Sequence, residues 1–458
     1  MTTVIYKNTN HGQQLDLEGN LVDVSPKRQT RKPKTPGVVL TERDLKLMED
    51  IHDFGGVLNT IQISLLHFPP DLRKRLTSWG IPKAESAAWM EQYDLGYLNQ
   101  KIEELRWGVK VDKALKKAKP SKAERKLLEW LTELTADQRQ ELDAWLAQIT
   151  AVKPHAWLAQ AVPQDTPAPE AFTIRHRFSS EIVSSACKKR LRYLADEGLI
   201  QEDEQATRLS DGRQAYLWWL TRKGRQALAD YRHVKPSSLD WKQPGSYGLL
   251  HIEHRRAIND FRIATQLACQ HRGYRILEWI DDNQLKRLLG NEKVELRRLV
   301  RDNATGERQE VIETVALKIP DSYCVLDLGE AGVRHCFIEI DRATVTLQAS
   351  DSSGQKDFAQ KLRTLAAFYR SGRYAQMFPA AGSSMWLLTV TTGGQARVDN
   401  LRQTTERVIG ANNRALDRYF FADMAEIPTW EDYFSTAIFA PIWYRAGQDK
   451  RWSLDEQR

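Results

Sequence analysis

The stretch Ile319-Pro320-Asp321-Ser322-Tyr323-Cys324-Val325-Leu326-Asp327-Leu328-Gly329-Glu330-Ala331-Gly332-Val333-Arg334-His335-Cys336-Phe337-Ile338-Glu339-Ile340-Asp341-Arg342 decides the fold of the C-terminal half. Two runs rich in aromatic and β-branched residues, 321–328 and 334–341, flank the turn residues Gly329-Glu330-Ala331-Gly332, which is the pattern of a β-hairpin. Asp321 opens the first strand and Glu339 lies near the end of the second, so antiparallel pairing brings both to one edge of a sheet. Alternation places Glu339 and Asp341 on the same strand face. Carboxylates set among Phe337, Ile338 and Ile340 cost free energy unless they are paired or hold a cation. Two readings stay open. Asp321, Glu339 and Asp341 converge on a hard cation such as Mg²⁺, with Mn²⁺ as a substitute; or the acids pair with Lys318, Arg334 or Arg342.

Outward from the hairpin, helix and strand alternate. Residues 251–271 read as a helix with Ile252, Ala257, Ile258, Phe261, Ala264 and Leu267 along one side, and 274–280 as a strand. A charged stretch around Arg297, Arg298, Arg301 and Glu307 separates that strand from the hairpin. Beyond it come a helix over 358–370, a strand over 385–391, a helix over 398–409 and a last strand over 418–424. The order α-β-β-β-α-β-α-β predicts a mixed-sheet α/β domain over 248–428, with 429–458 as a C-terminal extension.

The N-terminal half has a different grammar. Residues 1–38 are polar and carry Lys27, Arg28, Arg31, Lys32 and Lys34, the composition of a basic flexible arm. Thr41 caps a helix that ends at Phe54-Gly55-Gly56, and Asn59-Thr60 caps a second, the first half of a helix-turn-helix. The pattern resumes after residue 174: a helix through Lys188, Lys189, Arg190, Leu191, Arg192 and Leu194, then two strands joined by a polar turn, then a helix from Thr221. Residues 39–69 and 175–235 together predict a winged helix that binds double-stranded DNA. Lys188, Lys189, Arg190 and Arg192 on the helix and Arg208 and Arg213 on the wing are its candidate contacts. Between the halves, 70–174 holds Trp79, Trp89, Trp107, Trp130, Trp145 and Trp157 among Leu and Ala, the signature of a helical insertion with its own core, and a candidate surface for a partner protein.

Composition sets the outer bounds. The chain has 458 residues with 67 Lys+Arg against 60 Asp+Glu, a net charge of +7, and 41% hydrophobic residues. That suits a folded protein of two or three domains and permits a nucleic-acid partner. No run is long and apolar enough for a membrane span, and MTTVIYKNTNHGQQ lacks the pattern of a secretory signal. Four scattered cysteines without a CxxC pair argue against a zinc site or disulfide scaffold and fit a cytoplasmic protein. No GxxxxGK[ST] loop is present. Tyr369 and Tyr374 are poor candidates for a DNA-attacking nucleophile, since Tyr369 falls on a buried helix stripe.

The α-β-β-β-α-β order with Asp321 and Glu339 resembles the PD-(D/E)xK phosphodiesterase fold. That resemblance implies a metal-dependent nuclease or nickase centre in which Asp321 is the first acid and Glu339 the second. Position 341, where that family keeps a lysine, is Asp. Lys361 on the following helix is the candidate replacement, and Glu253 on the preceding helix a further acid. TERDLKLMEDIHDFGGVLNTIQ, KKRLRYLADEGLI, YLWWLTRKGRQAL, IPDSYCVLDL, FIEIDRATVT and KLRTLAAFYRSGRY together resemble the plasmid replication-relaxation family. The resemblance implies a DNA-binding protein of a plasmid or other mobile element. Its nuclease-like domain either nicks or relaxes DNA, or is inactive in a regulator or in an adaptor that recruits a partner.

Overall fold

The computed structural model describes residues 13–15, 21–23, 40–172, 184–208, 214–240, 248–301, 308–344, 358–382, 384–427 and 433–456. The chain separates into two units, Met1–Thr41 and Glu42–Arg458. In the first, β1 (Gln13–Leu15) and β2 (Leu21–Asp23) pair antiparallel where the sequence suggested only an arm. The basic run from Lys27 to Lys34 lies outside the described residues.

The second unit opens with α1 (Glu42–Asp53), which buries Leu47, Met48 and Ile51. Gly55 and Gly56 then take φ of 84° and 91°, the left-handed conformation glycine adopts without strain, and turn the chain into β3 (Val57–Asn59). Asn59 caps α2 (Thr60–His67) through a reciprocal box with Gln62, both bonds at 2.9 Å. The short strand between these helices was not visible in the sequence pattern.

Six helices follow: α3 (Leu72–Ser78), α4 (Lys83–Gln92), α5 (Leu95–Lys116), α6 (Lys122–Leu131), α7 (Ala136–Ala151) and α8 (Pro154–Gln164). Their core is aromatic. Trp107 lies 5.7 Å from Trp145 and 5.5 Å from Phe172, and Trp145 meets Trp157 edge-on at 6.2 Å. Gly108 makes the α5–α7 crossing close: a Cβ there would sit 2.5 Å from Ile149 and 2.9 Å from Trp145. The core is not sealed by the insertion alone, because Phe434 from near the C-terminus packs into it.

The chain then returns through α9 (Ser185–Asp196), β4 (Ile200–Arg208), β5 (Gln214–Leu220) and α10 (Arg222–Tyr231). Strands β3, β5 and β4 form a three-stranded antiparallel sheet in that order, so a strand from before the insertion pairs with one from after it. Val57, Leu217 and Trp219 of this sheet bury against Ile252 of α11 (Leu249–Arg272). Asn259 of α11 donates to the Val57 carbonyl at 3.1 Å, Gln62 donates to Asp260 at 2.8 Å, and Arg262 donates to the Asp53 carbonyl at 2.7 Å.

After α11 come β6 (Arg275–Asp281), α12 (Asp282–Leu289), β7 (Lys293–Arg301), β8 (Arg308–Ala316), β9 (Ser322–Asp327) and β10 (Val333–Asp341). The rest is α13 (Phe358–Arg370), α14 (Arg373–Met377), β11 (Trp386–Thr391), α15 (Gln395–Ile409), β12 (Tyr419–Asp423), β13 (Trp443–Arg445) and β14 (Arg451–Trp452). Seven strands make one mixed sheet in the order β14-β13-β12-β11-β10-β9-β6. The pairs β10–β11 and β11–β12 are parallel and the others antiparallel. α13 and α15 cover one face through Leu362, Leu365, Val398 and Leu401, and α11 covers the other through Ile258, Phe261 and Ala264. Two readings are corrected here. The charged stretch before the hairpin contains α12 and a separate two-stranded ribbon, β7–β8. The C-terminal extension supplies β13 and β14, with Trp443 fully buried, and so completes the sheet.

Candidate functional site

The hairpin pairs as its sequence demands, with Ser322 opposite Ile338 and Cys324 opposite Cys336. Asp321, one residue before β9, therefore lies beside the last turn of side chains on β10. Its amide donates to the Ile338 carbonyl at 3.0 Å, and the Ile340 amide donates to its Oδ2 at 2.8 Å. Glu339 faces α13, where Lys361 Nζ reaches its Oε1 at 2.5 Å. Lys361 belongs to a helix whose Leu362 and Leu365 are anchored in the core, which holds the ammonium over the sheet edge. His254, in the first turns of α11, sets its Nε2 3.0 Å from Asp321 Oδ1. The side chains of Asp321, Glu339 and Lys361 are 15%, 13% and 19% exposed, so the centre is mostly buried but reachable.

Electrostatics follow from this crowding. Burial, and then the Asp321 carboxylate, push Glu339 up to about 7 against the pull of Lys361. Burial works to raise Asp321 as well. The His254 hydrogen bond, the Lys361 charge and the Ile340 amide outweigh it and hold Asp321 below the usual carboxylate range. Burial works to lower His254 and Lys361, yet the surrounding carboxylates win and both are raised. Two acids in nearly the same place are thus driven apart in pKa, an arrangement common in sites that manage protons or cations.

Asp341 does not join them. Arg397, from the first turns of α15, donates to its Oδ2 at 2.8 Å and its Oδ1 at 3.0 Å, and the Thr391 hydroxyl adds a third bond at 2.9 Å. The expected set Asp321, Glu339 and Asp341 is corrected to a pair of acids with Lys361 and His254. Glu253, the other acid proposed for the centre, is bonded to Arg342. Of the four carboxylate oxygens on Asp321 and Glu339, three have a protein partner, and Glu339 Oε2, buried, has none among the described residues. Leaving such an oxygen unsatisfied costs about 1–3 kcal/mol. Among the described residues no group of three or more His, Cys, Asp or Glu side chains is placed to hold a metal ion. Two carboxylates with one open oxygen fit a hard cation that keeps most of its waters, rather than a closed protein cage.

The cationic helix is α9. Lys188, Lys189 and Arg192 are exposed on the face opposite Cys187, Leu191 and Leu194. Arg190 points elsewhere: it forms a fork to Asp44 of α1, which is fully buried, and its guanidinium stacks 4.5 Å from the Tyr193 ring. It holds two helices together, so its place among the candidate DNA contacts is corrected. Arg208 ends β4, and Arg213 lies outside the described residues. Tyr374 is buried with its hydroxyl on the Ser384 carbonyl, while Arg418 covers the Tyr369 ring at 4.0 Å. No described helix is long and apolar enough to cross a membrane.

His254 and Arg397 were missed in the sequence. His254 was legible in principle, since it stands four residues before Ile258 and seven before Phe261 on the buried stripe of α11. Arg397 carried no local signal.

Fold and site together define a mixed α+β protein with an acid–lysine centre at one end of its main sheet. The sequence pattern of the replication-relaxation family matches residues 171–381, the family that the motifs resemble. The matched segment holds α9, His254, Asp321, Glu339 and Lys361, and leaves Asp44 and Arg397 outside. No curated protein and no solved structure matches the chain significantly.

Proposed function

We propose that this protein acts in the replication of a plasmid or other mobile element by binding duplex DNA through a winged helix and nicking it slowly at a PD-(D/E)xK-like centre. The observation that carries the proposal is Lys361 arriving from α13 to meet Glu339 beside Asp321. A lysine from the next helix stands in for the one that Asp341 replaces. Asp321 and Glu339 would hold Mg²⁺ or Mn²⁺, which when bound stabilises charge on a scissile phosphate and lowers the pKa of an attacking water. Lys361, kept charged by its neighbours, offsets charge that develops on the phosphate oxygens. His254 fixes the Asp321 carboxylate, so the acid meets a ligand without reorganising. On α9, Lys188, Lys189 and Arg192 face outward and would serve as phosphate contacts, with the β4–β5 hairpin acting as the wing.

The test is conversion of supercoiled to open-circular plasmid by the full chain with Mg²⁺ or Mn²⁺. Asp321→Ala and Lys361→Ala proteins, purified in parallel, should lose roughly 100-fold or more of the rate. Equal activity in wild type and variants, or none on cognate DNA, overturns the enzyme reading. A second reading then takes its place. The engagement of Asp341 by Arg397 and Thr391 favours a DNA-binding regulator whose centre is a structural remnant and whose insertion recruits a partner protein.

A further inference from the structure

β10 and β11 run parallel, with Glu339 beside Thr389 and Asp341 beside Thr391. Partners in such a register project from the same face. The second pair makes the bond this geometry permits, Thr391 Oγ1 donating to Asp341 Oδ2 at 2.9 Å. The first pair does not. Thr389 is fully buried and its Oγ1 has no hydrogen-bond partner among the described residues, as is also true of Glu339 Oε2 on the neighbouring strand. Two side-chain oxygens without partners, on adjacent strands of the same face, break the rule that buried polar groups are satisfied. They do so at the acid–lysine centre. A threonine placed only to fill the core would be served equally well by valine, which has the same shape and strands favour as strongly.

We infer that Thr389 is a positioning residue of the centre: its hydroxyl and Glu339 Oε2 together hold one oxygen of a hydrated divalent cation. The hydroxyl both donates and accepts, so it can bond a cation-bound water that also faces the carboxylate. It touches no phosphate and moves no proton. This assignment rests on the cation-binding reading of Asp321 and Glu339. Partners that bond to metal ligands or their waters change affinity by about 10–100-fold when removed.

The experiment is Mn²⁺ binding to the full chain, followed by the loss of free-ion paramagnetic resonance signal, with thermal unfolding recorded on the same samples. Thr389→Val and Thr389→Ala both lack the hydroxyl, so one serves if the other fails to fold, and each should bind Mn²⁺ about tenfold more weakly. Thr389→Ser keeps the hydroxyl and should bind as wild type does. Equal affinity in all four proteins overturns the role of Thr389 and leaves the cation site standing. Weak binding by the serine protein overturns it too, because the methyl group would then be what matters. A wild-type protein that binds no Mn²⁺ removes the cation reading, and this inference with it.

Discussion

Glu339 is held by contradictory neighbours, and its response to pH exposes them. Its folded pKa, raised to about 7, lies above the ordinary 4.5. The folded protein therefore holds a proton there that the unfolded chain releases. Stability from this group is complete below about pH 4.5 and is lost as pH rises through about 7. His254 is also raised and adds a contribution of the same sign, full below its ordinary 6.5 and lost at higher pH. Asp321 is lowered, so its contribution is present above 3.8 and lost only in stronger acid. Between pH 5 and pH 8 the wild type should thus lose stability that a Glu339→Gln protein, which cannot ionise there, retains. The gap between them should move by about 2 kcal/mol toward the variant, less than the full shift because Lys361 shares the charge. Urea unfolding at the two pH values checks this; a constant gap would mean that Glu339 is fully ionised throughout.

Within the single helix α9, cations one or two residues apart have different duties. Arg190 neutralises the buried Asp44, and removing it strips that carboxylate of its two-pronged guanidinium partner. Arg190→Ala should destabilise the protein by about 2–3 kcal/mol, at the low end for a buried pair because Arg190 is itself partly exposed. Replacing Lys188, Lys189 and Arg192 together by alanine should leave the unfolding transition in place and reduce the salt dependence of duplex binding by about 2–3 in log–log slope. Unfolding and DNA titration on both proteins separate the two duties, and swapped outcomes would refute the assignment. The same contrast marks how much the sequence disclosed. Periodicity within one element was legible: the helix over 358–370 and the hairpin around Gly329-Gly332 stand where expected. The meeting of Asp321, Glu339 and Lys361 was legible too, because a hairpin and the helix after it constrain one another locally. What pairs Asp341 with Arg397, or Arg190 with Asp44, is the register of distant strands and the docking of distant helices. Neither leaves a trace in local spacing. β13 and β14 escaped for a related reason, since Trp443–Arg445 and Arg451–Trp452 are too short for alternation to register.

At the level of the whole chain, the tryptophan-rich insertion has a core of its own, which among the described residues takes in Tyr433 and Phe434 from outside it; both rings also flank His271. Excising residues 72–172 and bridging the gap with a short Gly/Ser linker should leave cooperative unfolding intact. Phe434, newly exposed, should make the shortened protein prone to association, and Phe434→Ser should restore its solubility. Loss of cooperative unfolding in both proteins would show that the six helices belong to a common core. The pairing of β3 with β5 across this insertion has a consequence for how the protein is made. Strand β3 ends at Asn59, whereas its neighbour in the sheet begins at Gln214. At a synthesis rate of about 5–20 residues per second, β3 emerges roughly 8–30 s before the strand that completes its sheet. During that interval α1, β3 and α2 are exposed with no partner to bury them, while the helices emerging behind them can already close around Trp107. A guest that folds before its host keeps the two ends of the unfinished module within reach of one another until the rest arrives.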